Sequence, residues 1–298
     1  MTRIEPRVLL RRDDDRDLEA MRSLATRACR ALGPRSGWTA GDVAWWWYGP
    51  SSLNEAKVAI WTDGSSDCLA WAWVPMEGRH RGEADLLIDP AAPELRAAVL
   101  DWIEAEMRDG NAHSVWAMDR DPFTEVLSAR GFVPTDVHYV LTARSLDGIR
   151  PSPPARGYRV RQVRGPDEAE ARAAVHAAAF APSRMTAELY RELMASDAYG
   201  RMAIDMVAEG PDGMLAAFCI CWVDEEAEIA ELEPVGTHPE YRRRGLAAAV
   251  CSAALTLAAE RGAKTGVVFH DPGTPAERLY QEALRFEPAG VFRRWRVG

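Results

Sequence analysis

The chain has 298 residues, of which 47% are hydrophobic and 27% are charged, and its formal net charge is -9. The acidic balance argues against a protein that binds nucleic acid through a broad basic surface, and no stretch reaches the roughly 18 apolar residues of a membrane span. The composition is typical of a globular protein, and the length of about two common domains predicts a two-domain chain. We therefore expect a cytoplasmic protein with no nucleic-acid or membrane partner.

The first half is predicted to contain both helices and strands. Helical periodicity of apolar residues predicts helices in DLEAMRSLATRACRAL and PELRAAVLDWIEAEMRDG. Alternating or continuous apolar residues predict a hairpin in AKVAIWTDG and CLAWAWVP and a strand in ADLLIDP. The half then continues with a strand in HSVWAMD, a helix in FTEVLSARGF and a closing strand in VHYVLTARS.

The segment SLDGIRPSPPARGY, residues 145–158, is rich in proline and glycine and shows no apolar periodicity, so it is predicted to be a linker. We place one domain at residues 1–148, the linker at 149–156 and a second domain at 157–298. The second half is predicted to begin with the strand GYRVRQV and the helices PDEAEARAAVHAAAF and TAELYRELMAS. The strands MAIDMVAEG, GMLAAFCICWVDEE and AEIAELEPVGT follow, and both halves end in the order strand, helix, strand, helix, strand, a weak internal repeat.

The stretch THPEYRRRGLAAAV, residues 237–250, leads from a strand into a helix. Apolar residues recur at helical spacing from Leu246 to Leu257, so the helix is predicted to begin at Gly245. The first N–H groups of a helix have no internal partner and carry about half a positive charge, and a glycine lets an anion approach them closely. Charge alone would favour a solvated surface run for the three arginines, whereas the succession of strand, arginine turn, glycine and apolar helix favours a diphosphate site.

The hexapeptide at residues 242–247, RRRGLA, resembles the (Arg/Gln)-x-x-Gly-x-(Gly/Ala) signature of the GNAT superfamily of N-acetyltransferases. The resemblance covers residues 157–297 well and residues 8–146 weakly, and it is to the tandem two-domain type with a mycothiol-synthase-like arrangement. It implies an α/β (α+β) fold with two GNAT-like domains, each a mixed, mostly antiparallel central sheet flanked by helices. It also implies acetyl-CoA as co-substrate, no metal, a small-molecule amine as acceptor, and a monomer or homodimer.

The resemblance assigns cofactor-binding residues by position. The residues expected to line the pantetheine arm of CoA are Val235, Gly236 and Thr237. The residues expected to hold the diphosphate are Arg242, Arg243, Arg244, Gly245, Leu246 and Ala247.

Three residues are the candidates for catalysis. The segment AERLYQEALRF resembles the family's A-x-x-L-Y-x-x-x-G-F segment, in which the tyrosine protonates the departing CoA thiolate in many members, and Tyr280 holds that place. Glu231 lies eleven residues before Arg242, the spacing of the base in some members, and Glu233 is the second candidate because it shares a strand face with Glu231. Two other interpretations stay open, a tyrosine packed on a helix face and two acids facing solvent.

The first half lacks the signature, since ADLLI is followed by DPAAPELRAAVLDW. Asp89 and Glu94 stand near the helix start and would repel a diphosphate, so this half is predicted to be a degenerate domain that does not bind CoA in the usual way. Nine of the eleven tryptophans lie before the linker and either fill its core or build an acceptor pocket against the second half.

The predicted function is an acyltransferase that acetylates a primary amine by direct attack on the thioester. The alternative is a non-catalytic sensor or scaffold that binds acyl-CoA.

Overall fold

The computed structural model describes residues 5–9, 15–49, 56–62 and 67–298. Twelve strands of the described chain form one sheet in the order β1-β2-β3-β4-β5-β12-β6-β11-β10-β9-β8-β7. The strands are β1 (Arg7–Leu9), β2 (Ala56–Thr62), β3 (Cys68–Pro75), β4 (Glu83–Ile88), β5 (Ser114–Met118), β6 (Phe132–Ser145), β7 (Arg159–Gln162), β8 (Ala203–Glu209), β9 (Leu215–Asp224), β10 (Ile229–Thr237), β11 (Thr265–His270) and β12 (Glu287–Val297).

Helices flank this sheet, and each helix named in the sequence analysis is present. The helices are α1 (Asp15–Leu32), α2 (Ala40–Tyr48), α3 (Leu95–Arg108), α4 (Phe123–Ala129), α5 (Ala169–Ala179), α6 (Ala187–Ala195), α7 (Asp197–Met202), α8 (Leu246–Glu260) and α9 (Pro275–Glu277), which continues as a π-helical turn over Arg278–Ala283. Helices α2 and α7 were not predicted. Helix α2 is apolar on nearly every face and buried, so it lacks the periodicity that marks a surface helix.

The two halves exchange their closing strands. β6 ends the first half and pairs antiparallel with β11 of the second, with Ala143 opposite Val267. β12 ends the second half and pairs antiparallel with β5 of the first, with Phe292 opposite Met118. β6 and β12 also pair with each other along most of their length. The predicted mixed, mostly antiparallel sheet is confirmed, and the exchange joins both halves into one continuous sheet.

Two pairs of described strands are parallel, and both pairs diverge after a short contact. The pairing of β4 with β5 ends at Ala84 opposite Val115, and the pairing of β10 with β11 ends at Glu231 opposite Val267. Since β10 runs on to Thr237, the sheet opens between β10 and β11 beyond Glu231. A second opening lies between β4 and β5, on the far side of the exchanged strands.

Helix α2 belongs to the first half but packs on β9 of the second. A Cβ atom on Gly41 would lie 2.2 Å from the Cβ atom of Trp222, so a glycine permits this close approach. Thr39 caps the helix by accepting a hydrogen bond from the backbone N–H of Asp42 at 3.0 Å. The tryptophans of this region share a hydrophobic cluster with Trp222 and with Tyr190 of α6. The contact brings Thr39 and Asp42 to β10.

Replacing Gly41 with alanine is expected to lower the free energy of unfolding by about 1–3 kcal/mol, because the added methyl group overpacks the contact with Trp222. Gly200 is the matched control, since it lies in helix α7 and an added Cβ there meets no described atom within 4 Å. Gly200→Ala is expected to leave the stability unchanged or to raise it by a few tenths of a kcal/mol, on the order of the entropy that alanine removes from the unfolded chain. Urea denaturation measures the free energy of unfolding of both variants. Equal midpoints and slopes for the two variants would contradict the prediction.

Candidate active site

A cavity of about 1100 Å³ lies where the sheet opens between β10 and β11. The second half supplies the end of β10, the arginine turn, the start of α8 and the segment around Tyr280. The residues of the first half that line it are Gly37, Trp38, Asp42, Trp46, Arg79, His80, Asp85, Trp116 and Tyr139. Other tryptophans of the first half, among them Trp61, Trp71 and Trp73, are fully buried in the core. Some tryptophans of the first half therefore fill its core, and others line the cavity that it shares with the second half.

The last residues of β10 form the open edge of the sheet. A β-bulge follows Leu232, and Val235 resumes the pairing with β9. A Cβ atom on Gly236 would lie 2.4 Å from the Phe218 ring and 2.9 Å from the Cβ atom of Ala179, so glycine is required there by close packing. Val235, Gly236 and Thr237 all line the cavity, where the resemblance places the pantetheine arm.

The arginine turn enters α8 at the predicted residue. Gly245 precedes the helix with φ 71° and ψ 9°, and Arg243 also has a positive φ of 62°. A Cβ atom on Gly245 would meet no described atom within 4 Å, so its left-handed backbone, rather than a contact, favours glycine. No side chain of the described residues caps this helix start. The predicted diphosphate residues that line the cavity are Arg242, Arg243, Gly245, Leu246 and Ala247.

Arg244 does not line the cavity. It stabilises the arginine turn through contacts on the side away from the cavity lining. Its guanidinium donates hydrogen bonds to the hydroxyl of Tyr158 and, at 3.3 Å, to the backbone oxygen of Glu240. Its Cζ atom lies 5.8 Å from the ring centre of Tyr158 and 5.4 Å from that of Tyr241. Arg242 and Arg243 therefore line the cavity, whereas Arg244 does not.

Glu231 is buried at the cavity with 2% of its surface exposed, so it does not face open solvent. The Thr39 hydroxyl donates a hydrogen bond to Glu231, and the carboxyl group of Asp42 lies beside that of Glu231. Burial and the charge of Asp42 raise the pKa of Glu231 well above its usual value, and burial raises the pKa of Asp42 to about 6. Two carboxyl groups in contact resist double ionisation, so the pair holds one proton near neutral pH.

Glu233 lines the same cavity as Glu231, as the shared strand face predicts. Burial, followed by the charge of Asp42, raises the pKa of Glu233 to about 8. Its backbone oxygen accepts a hydrogen bond from the Trp222 indole at 2.6 Å, which fixes the bulge. Both candidate bases are thus held at one end of the cavity.

Tyr280 lies on the π-helical turn, with 6% of its surface exposed, and lines the cavity. Burial raises the pKa of its phenol well above the usual value, so the hydroxyl keeps its proton at neutral pH. The ring of His270, at the end of β11, lies 6.0 Å from that of Tyr280, and its Nε2 atom lies 3.3 Å from Nε2 of Gln281. Tyr280 packs against its neighbours and also lines the cavity.

The start of α3 in the first half already has a carboxylate at its turn. Oδ1 of Asp89 accepts a hydrogen bond from the backbone N–H of Ala91 at 2.9 Å, and Arg27 forms an ion pair with Asp89 at 3.0 Å. Glu94 stands directly before the helix. These contacts support the prediction that the first half does not hold a diphosphate there.

Sequence reasoning missed three residues of the cavity or its wall: Thr39, Asp42 and Asp85. Thr39 and Asp42 follow the Ser/Thr-x-x-acid pattern of a helix start, which could have indicated α2. Asp85 is an acid within the otherwise apolar strand ADLLI. Both sequence patterns are short, and neither indicates which other part of the chain packs against these residues.

Among the described residues, no helix is long and apolar enough to cross a membrane. Within the same residues, no three His, Cys, Asp or Glu side chains are grouped so that they could hold a metal ion.

Comparisons of the sequence with known proteins identify relatives that are acetyltransferases. The model of the acetyltransferase (GNAT) family matches residues 172–286. A mycothiol acetyltransferase of Clavibacter sepedonicus is 32% identical over 245 residues, which cover 76% of this chain and 77% of that protein.

Solved structures share the fold over the whole chain. A tandem GNAT protein from the clavulanic acid biosynthesis pathway aligns with a TM-score of 0.65 at 17% identity and covers 99% of both chains. A GNAT-family acetyltransferase from Colwellia psychrerythraea aligns with a TM-score of 0.63 at 14% identity over 99% of this chain and 100% of its own. These solved structures share the tandem fold, and the sequence match to the mycothiol acetyltransferase together with the family model shows that the chain belongs to the GNAT family of acetyltransferases.

Proposed function

We propose that the protein transfers an acetyl group from acetyl-CoA to the primary amine of a small molecule. The observation that carries the proposal is one cavity in which the arginine turn, the open edge of β10, the buried acid pair and Tyr280 meet. The acetyltransferase relatives support the acetyl group as the one transferred.

In this proposal the CoA diphosphate binds the first amides of α8, where the helix dipole and the side chains of Arg242 and Arg243 add positive charge. The pantetheine arm pairs with the backbone of β10 beyond Glu231, where β11 has diverged. The thioester then lies deep in the opening, beside the acid pair and Tyr280. Peptide N–H groups of β10 polarise its carbonyl.

The acid pair prepares the amine for attack. An ammonium acceptor gives one proton to Glu231 while Glu231 passes its own proton to Asp42, whose carboxylate is ionised above a pKa of about 6. The neutral amine forms the N–C bond, and the C–S bond breaks. Tyr280 gives its proton to the departing thiolate and regains one from the protonated amide nitrogen. The pair then releases its proton to solvent, and Glu233 is the second candidate for the base.

Thiol release from acetyl-CoA over a panel of amines tests the function. Release with at least one amine is expected. Binding of acetyl-CoA in calorimetry without release by any amine would instead favour the non-catalytic sensor or scaffold.

Tyr280→Phe is expected to lower kcat by about 100-fold with little change in the Kd of acetyl-CoA, because it removes a proton donor and keeps the ring. Tyr241→Phe is the matched control, since Tyr241 also lines the cavity but its hydroxyl donates to Asp212 at 2.9 Å. Stopped-flow or steady-state thiol release measures kcat, and calorimetry measures Kd. Unimpaired turnover by Tyr280→Phe would remove the acid role.

A further inference from the structure

We infer that the acceptor is a dication: besides the amine that is acetylated it carries a second ammonium group, which Asp85 of the first half binds. The inference rests on the proposed function, because it concerns the acceptor of that reaction. The inference assigns a role to the opening of the sheet between β4 and β5, which the proposed CoA site does not use.

Asp85 lies directly after the point at which β4 and β5 diverge, since the last paired residues are Ala84 and Val115. The side chain lines the same cavity as Glu231 although only 8% of its surface is exposed. The cavity therefore reaches from the opening between β10 and β11, across the exchanged strands, to the opening between β4 and β5.

The carboxylate of Asp85 lacks a positive partner. The indole N–H of Trp73 donates to Oδ2 at 3.3 Å, while Oδ1 has no hydrogen-bond partner in the described chain. No Arg, Lys or His of the described residues lies within ion-pair distance of Asp85. Burial and the charge of Glu83 raise the pKa of Asp85 well above its usual value, as expected where a buried acid lacks a cation.

The neighbouring acid Glu83 differs from Asp85 because basic side chains contact it. It accepts hydrogen bonds from Arg294 at 2.8 Å and from the Trp116 indole at 3.0 Å, and its carboxylate lies 3.0 Å from Nδ1 of His80. Although burial opposes them, these bonds lower the pKa of Glu83 to about 2. Arg294 and His80 thus contact Glu83, and a cation for Asp85 has to enter from the cavity.

Aromatic rings surround this end of the cavity. Trp38, Trp46 and Trp116 line it, and the Trp38 ring centre lies 4.7 Å from that of Trp73, the ring that holds Asp85. Ammonium groups bind favourably to aromatic rings, most of all where water is excluded. A buried carboxylate among tryptophan rings suits an alkylammonium better than a neutral hydroxyl group.

Acids also lie at two separate places in the cavity wall. The Asp42–Glu231 pair carries one negative charge near the thioester, and Asp85 adds a second acid at the far end. Of the arginine side chains in the lining, Arg242 and Arg243 belong to the arginine turn, and Arg79 and Arg278 are exposed. A single ammonium bound by the Asp42–Glu231 pair would therefore leave the Asp85 carboxyl without a cation.

Calorimetry in the presence of CoA tests the inference without turnover. The probes are linear diamines from 1,4-diaminobutane to 1,8-diaminooctane and the amino alcohols of the same lengths. We expect at least one diamine to bind the wild type about tenfold or more tightly than its amino alcohol, as charge-assisted bonds predict. Asp85→Asn, which can still accept from Trp73, should abolish this preference and leave the affinity for the amino alcohol unchanged.

Asp271→Asn is the matched control, since Asp271 also lines the cavity but directly follows β11 of the second half, and it should keep the preference. Equal binding of every diamine and its amino alcohol by the wild type would overturn the inference whether or not the variant folds. A preference that persists in folded Asp85→Asn would also overturn it. Failure of the proposed function has a different signature, since it is the absence of thiol release with all amines.

Discussion

Glu231→Gln is expected to lower kcat for acetyl transfer by about 100- to 1000-fold, because the variant cannot accept the proton of the amine. Asp42→Asn should cause a loss of similar size, since it removes the carboxylate that receives the proton of Glu231 in the proposed relay. The Kd of acetyl-CoA should change little in both variants. Thiol release gives kcat, and calorimetry with acetyl-CoA gives Kd.

The pH dependence follows from the same pair. The base is active when the pair carries a negative charge, so kcat/KM should rise as the pH increases through the Asp42 pKa of about 6. Asp42→Asn should remove this rise. Ionisation of Glu233, with a pKa of about 8, would add a second rise at higher pH.

Glu233→Gln is the matched control for the base. Glu233 lies on the same strand, lines the same cavity and has a raised pKa, but the Thr39 hydroxyl donates to Glu231 instead. We expect a loss in kcat of less than about tenfold, which is below the range of a removed general base. A large loss in Glu233→Gln together with a small loss in Glu231→Gln would transfer the role of base to Glu233.

Gly245→Asp is expected to weaken acetyl-CoA binding by about 100-fold or more. The change places a carboxylate where the amides of α8 meet the diphosphate, and it strains a backbone with φ 71°. A 100-fold change corresponds to about 2.7 kcal/mol, which is within the range of a lost hydrogen bond to a charged group. Calorimetry with acetyl-CoA measures the change.

Gly262→Asp separates the effect of position from that of charge and strain. Gly262 follows the other end of α8, has a φ of 99°, and an added Cβ there meets no described atom within 4 Å. The variant adds the same charge and a similar strain, so its acetyl-CoA affinity should stay near that of the wild type. Equal losses in the two glycine variants would contradict a diphosphate site at the start of α8.

Most of the elements could be predicted from the sequence because their signals are local. The strand of residues 229–237, the turn that follows it and the apolar face that begins at Leu246 lie within a few tens of residues, so their order is fixed by the chain itself. The backbone angle at Gly245 follows from the same stretch. Helix α2 was missed because a helix that is apolar all round shows no periodicity.

The site was predictable to the extent that it is built from one stretch of chain. Val235, Gly236 and Thr237 line the cavity with most of the signature, and Tyr280 reaches it from the π-helical turn after α9. Arg244 has the same charge as its neighbours, and its contact with Tyr158, many residues away in sequence, decides its direction. Sequence alone could not separate it from Arg243.

The sequence by itself determined the strand, turn and helix that form the proposed diphosphate site, because backbone angles and helix amides depend on neighbouring residues. Tertiary structure decided the exchange of β6 and β12, since an apolar strand pattern specifies a buried face but not the strand beside it. It also decided that Asp42 meets Glu231 and that Asp85 opens into the same cavity. These residues lie far apart in the chain, and their contacts form when α2 packs on Trp222 and both halves share one sheet.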